Sequence, residues 1–201
     1  MTTQVATSSS ASLKLLMQGR PTLAAVAAAL EPLSRAERAV QVRALPGRHL
    51  GELWTLAQAG GELHVGEVVP PTTDPFKVLI WAGKNSLPAF SIFEKRVFRD
   101  QAGRVWGYNH QSMSAFTGPG YFSVVAHPER SGEVLFDYTR IPDTAPPGWP
   151  AIKSNARGIS YLVYHQLKDE MRRVCSGVLI GKAFKGGKDM GQYFALVVQD
   201  A

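Results

Sequence analysis

The stretch VLIGKAFKGGKDMGQYFALVVQ, residues 178–199, decides the fold. Val178–Lys185 alternates two faces with period two. Val178, Ile180, Lys182 and Phe184 share one face; Leu179, Gly181, Ala183 and Lys185 share the other. Lys185-Gly186-Gly187-Lys188 reads as a turn, and Gln192–Gln199 is a second run rich in aromatic and β-branched residues. Two such runs around a glycine pair make an antiparallel hairpin.

Upstream the same grammar repeats. Candidate strands are Lys77–Ala82, Phe90–Arg99, Val105–Asn109, Tyr121–Ala126 and Glu133–Ile141, with turns at 99–103 and 127–132. A proline-rich loop, Pro142–Pro150, follows. A long helix is expected over Ala156–Val174, capped by Ser154 or Asn155, because Ile159, Val163, Leu167, Met171 and Val174 form one stripe. No βαβ rhythm is present, which argues against a parallel doubly wound sheet. The expected fold class is α+β: a strongly bent antiparallel sheet or small lipocalin-like β-barrel, with N-terminal helices and one long helix of the C-terminal half packed on it.

The chain before the strands is different. Residues 1–12 are small and polar and read as a disordered tail. Residues 13–61 are helical in pattern, and residues 62–201 form the β domain. Thr22 caps LAAVAAAL, and Ser34 with Glu37 has capping-box spacing. Pro46-Gly47 breaks that helix, and a third ends at Gly60-Gly61 with Leu50, Leu53, Trp54 and Leu56 as its apolar stripe. Val65–Pro75 reads as a linker or edge segment.

Bulk composition narrows the function classes. The 201 residues suffice for a core without disulfides, and a lone Cys175 allows no internal disulfide framework. The 22 Lys and Arg give a net charge of +6 but form no long basic block. No apolar run reaches the ~18 residues of a membrane span, and TLAAVAAAL reads as a helix and not a leader, which places the protein in the cytoplasm. Phe93–Arg99 interleaves aromatic and basic residues, but no RNP-like or zinc motif accompanies it, so nucleic acid is not an expected partner. The five histidines lack metal spacing, and no metal or cofactor is expected. Self-association through the N-terminal helices is the other expected partnership.

Two Gly-Lys pairs invite a phosphate-loop reading. A loop of the form G-x-x-x-x-G-K-S/T would need glycine at position 78, where Val78 stands, and Ser or Thr at 85, where Asn85 stands. Pro88 also opposes an immediate helix. WAGKNSLPAF, residues 81–90, is therefore a strand ending, with Trp81 in the core and Lys84 at a rim. Lys182 lies on the larger apolar face of its strand and is expected to look into a cavity.

GEVLFDYTRIP, residues 132–142, has two registers. One turns Asp137 inward; the other turns Tyr138 and Arg140 inward. Tyr108, Asn109 and His110 cluster polar groups at another strand end. A cavity binding an apolar or amphipathic small molecule, with or without a carboxylate, is the first functional reading, with Trp81, Lys84, Tyr108, Asn109, Tyr138 and Lys182 as ligand contacts. The alternative is an isomerase, cyclase or lyase moving protons with His110 and Asp137 or Glu170. Cys175, at the expected C-terminus of a helix, is not a candidate nucleophile.

LKDEMRRVCSGVLIGKAFKGG, residues 167–187, followed by YFALVV resembles a pattern of uncharacterised small bacterial proteins. There a helix with an acidic-acidic-apolar-basic run leads into a G-x-x-x-G-K-A strand and a final F-x-L strand. Trp81-Ala82-Gly83-Lys84 is similar to their W-x-G-K element. The resemblance implies that both Gly-Lys elements belong to one framework of strand ends beside a C-terminal helix. It implies no activity. Cys175-Ser176-Gly177 lacks the proline often found at that turn.

Overall fold

A computed structural model describes residues 12–111 and 118–200. Eight antiparallel strands close into a barrel in sequence order: β1 (Leu79–Asn85), β2 (Ile92–Arg99), β3 (Val105–His110), β4 (Tyr121–Ala126), β5 (Val134–Asp137), β6 (Leu167–Cys175), β7 (Val178–Lys185) and β8 (Lys188–Val198). Each strand pairs with the next, and β8 returns to β1. Closure removes every sheet edge. The α+β barrel expected from the sequence is the fold. The tail expected at residues 1–12 lies outside the described residues except for Ser12.

The N-terminal helices are α1 (Leu13–Gln18), α2 (Leu23–Leu30), α3 (Arg35–Arg43) and α4 (Gly47–Leu56), continued by a 3-10 turn at Ala57–Ala59. Thr22 accepts a hydrogen bond from the Ala25 N–H, and Ser34 and Glu37 form the full capping box. Val26, Leu30, Val42, Leu50 and Leu53 pack on the outer wall of the barrel, against Val178, Ile180, Ala195 and Val197. This is why the larger apolar face of β7 points outward. It is covered by helices.

The expected helix over 156–174 is a short helix followed by a strand: α6 (Gly158–Tyr164) and then β6. A spacing of four residues fits the helical period and is also a multiple of two, so the stripe did not discriminate. Ile159, Leu162 and Val163 remain exposed, whereas Leu167, Asp169 and Met171 turn to the barrel interior and Lys168 to solvent. Asn155 is no helix cap. Its Nδ2 is buried and donates to the Tyr121 and Tyr138 carbonyls, tying the long β5–β6 connection to the wall.

One end of the barrel is plugged. The segment expected as a linker contains α5 (Val65–Val68), and Leu63, Val68 and Val69 join Trp81, Val97, Val134, Leu179 and Leu196 in a closed apolar core. The Trp81 indole N–H donates to the Val68 carbonyl at 3.3 Å. The opposite end carries the β1–β2 and β7–β8 connections together with α6, and among the described residues it is open.

Candidate ligand cavity

Strand register sets what the interior contains. Gly83 pairs with Phe93, Gly107 with Phe122, and Gly181 with Phe194. All six face inward. A Cβ on any of these glycines would lie within 2.8 Å of the opposing ring. Each glycine thus leaves room for a phenyl group to lie over the backbone, a cross-strand aromatic–glycine pair. Trp81-Ala82-Gly83-Lys84 and Gly181-Lys182 are explained by this packing. The glycine carries the function, and the lysine beside it points the other way by alternation.

Above this aromatic floor lies a cavity of about 360 Å³. Its apolar walls include Phe93, Phe194, Tyr164, Leu162 and Leu167. Its buried polar groups are Lys95 from β2, Asn109 from β3, Asp169 from β6 and Tyr138 just after β5, and the half-buried Asn85, Gln111, Lys185 and Gln192 line it as well. The Lys95 ammonium is 2% exposed and uses all three of its donors. It donates to Asn109 Oδ1 at 2.9 Å, Tyr138 Oη at 2.5 Å and Asp169 Oδ2 at 3.0 Å. The rings of Phe93, Phe122, Phe136, Tyr138 and Phe194 stand within 5.7 Å of its nitrogen. Five aromatic rings and one carboxylate surround the cation. Burial pushes the Lys95 pKa below the ordinary lysine value, with the Asp169 charge acting in the opposite sense. Burial, then the Asp169 charge, drives the Tyr138 phenol well above its usual range, so it remains a hydrogen-bond donor.

Of the residues expected to touch a ligand, Asn109 and Tyr138 line this cavity and the others do not. Trp81 is in the closed plug. Lys84 faces outward and donates to Ser91 Oγ at 2.7 Å. Lys182 also faces outward, in an ion pair with Asp189 at 2.6 Å and beside the Phe184 and Tyr193 rings. The two lysines do not share an opening. Tyr108 is on the outer wall, where Trp149 of the proline-rich loop packs on it and on Phe98. Of the two registers for β5, the one with Tyr138 inward is adopted. Arg140, the other residue of that set, lies past the strand's end.

The proton-transfer candidates are not brought together. His110, Asp137 and Glu170 all lie outside the barrel interior. Trp106 pairs with Ser123 and Ser123 with Asp137. Asp137 is therefore two strands across and four residues along from His110, about 16 Å by strand geometry. Asp137 Oδ1 accepts from the Thr139 N–H and hydroxyl. Glu170 accepts from Arg130 near His127.

Lys95 and Asp169 escaped the sequence reading for different reasons. Lys95 alternates with Phe93 and Val97, and period two alone places it on the apolar face. Asp169 was hidden by the helical reading of β6.

Cys175 ends β6 and does not end a helix. It is buried beneath the N-terminal helices, and burial lifts its thiol to about 11. Native protein at pH 8 should therefore react with an aromatic disulfide reagent far more slowly than unfolded protein. Prompt stoichiometric reaction of the folded chain would contradict this placement. No protein-family model, curated protein or solved structure matches the chain.

Proposed function

We propose that the chain binds a small amphipathic molecule in the open half of the barrel. The observation that carries this is a cavity of about 360 Å³ with aromatic and aliphatic walls around one convergent polar cluster. Small-molecule sites have this composition. The polar cluster narrows the class of ligand. Lys95 and Asp169 already neutralise each other, and every ammonium hydrogen has a partner. At this cluster a carboxylate head would enter beside the Asp169 charge and would have to displace it, and Lys185, the other cation of the lining, donates to the Leu162 carbonyl. A neutral hydroxyl or carbonyl head exchanges a single neutral hydrogen bond, at Asn109 or Tyr138, and its apolar tail lies along Phe194, Tyr164 and Leu167. The cytoplasm, whose reducing conditions suit one buried thiol, is the compartment that goes with this reading.

Calorimetric titration of a medium-chain alcohol, the matching methyl ketone and the matching carboxylate tests the reading. Saturable binding of the first two, weaker binding of the acid, and a further loss in Asn109→Leu are expected. Absence of saturable binding by all three, with no small molecule retained in native mass spectra, would sink it.

A further inference from the structure

The open end of the barrel is unlike the rest of the surface. Among the described residues, eight of the ten large apolar side chains that stand exposed lie there, which makes them a patch and not a scatter. They come from separate pieces of chain. Leu87 and Phe90 are on the β1–β2 connection, Ile159 and Leu162 on α6, and Met190 near the start of β8. Phe90 is 67% exposed and Leu162 73%. The cations around them outnumber the anions, and the anions are paired. Lys153, Arg157, Lys168 and Lys188 are exposed beside this rim and take part in no ion pair among the described residues. The acidic groups of β2 and β8 at this end, Glu94 and Asp189, are paired with Arg96 and Lys182.

We infer that this rim docks on an anionic lipid bilayer, with the apolar tips in the headgroup–acyl boundary and the cations against lipid phosphates. Apolar burial and attraction of basic side chains to anionic lipid act together in such attachment. The same charges disfavour the alternatives. A symmetric dimer through this face would set lysines against lysines. The attachment is peripheral, since no described helix is long and apolar enough to cross a membrane. The cavity mouth lies inside the rim. Docking would therefore let an amphipathic ligand pass between bilayer and barrel without crossing water; that passage rests on the proposed cavity function, whereas the docking does not.

Flotation of the full chain with vesicles decides it. Wild type should float with vesicles of phosphatidylcholine mixed with phosphatidylglycerol, and far less with phosphatidylcholine alone or in high salt. The double variant Phe90→Glu, Leu162→Glu should lose about tenfold or more of the bound fraction, since both the apolar and the electrostatic contributions are reversed. Both residues are exposed, and an unchanged thermal midpoint confirms that the variant folds. Gly181→Ala, which alters the cavity, should float as wild type does, so failure of ligand binding and failure of docking are separate results. The inference is overturned by no flotation on either vesicle, by flotation indifferent to the double substitution, or by a concentration-dependent dimer that the double substitution abolishes.

Discussion

Lys95→Met should cost about 3–5 kcal/mol of stability. The reason lies less in the bond energy of the pair than in what is left behind. Asp169 is 3% exposed, and its Oδ2 accepts from Lys95 and Tyr138. Methionine fills the space of the lysine stem but leaves that carboxylate buried without its cation. The second half of the prediction separates this from ordinary packing. Adding Asp169→Leu to Lys95→Met removes the orphaned charge, so the double variant should recover most of the loss. Urea unfolding of the two single variants and the double gives the cycle. Two losses that simply add would show that Lys95 and Asp169 are not coupled.

That the double variant should fold has a functional side. A chain indifferent to this pair could have replaced it by apolar residues with little loss. Its place at the floor of an accessible cavity supports, under the proposed function, a role in reading the polar end of a ligand. The same double variant should therefore discriminate less between the two neutral ligands and the carboxylate, because the Asp169 charge that opposes the acid is gone.

The sequence announced the barrel more clearly than it announced the site. Alternation in β7, the glycine turn after it and the hairpin spacing upstream are local signals, and local signals survive in a sequence. The capping box at Ser34 and Glu37 is also local, and it is present. The site is built from residues 95, 109, 138 and 169, which only barrel closure brings together. Two of them, Asn109 and Tyr138, stood out as polar groups at the ends of apolar runs. Lys95 sat among Glu94, Arg96 and Arg99 and looked like part of a charged surface. Asp169 lay in Leu167–Cys175, where a spacing of four fits helix and strand equally. Lys182 misled because its face is the more apolar one. In a barrel wrapped by helices, apolarity marks two surfaces, and the outer one here is covered by α3 and α4.

Glycine substitutions should separate stability from binding. Gly107 and Gly181 both lie beneath rings, yet their surroundings differ. A Cβ at Gly107 would come within 2.7 Å of the Arg96 carbonyl oxygen and the Phe122 ring. The oxygen belongs to the neighbouring strand's backbone and cannot give way. Phe122 is completely buried and stacked on Phe136. Gly107→Ala should therefore cost about 2–3 kcal/mol, at the upper end of overpacking penalties. At Gly181 the nearest atom is the tip of the Phe194 ring, at 2.3 Å, with the Met171 sulfur at 2.7 Å. Phe194 borders the cavity and has empty space to enter. Gly181→Ala should thus cost less stability, about 1 kcal/mol, while the displaced ring takes up room that a ligand needs. The prediction is a crossing: Gly107→Ala unfolds earlier in urea but, where folded, binds the ketone nearly as wild type does, and Gly181→Ala stays folded but loses affinity. Equal stability losses with unchanged affinity in Gly181→Ala would mean that the ligand does not lie along Phe194.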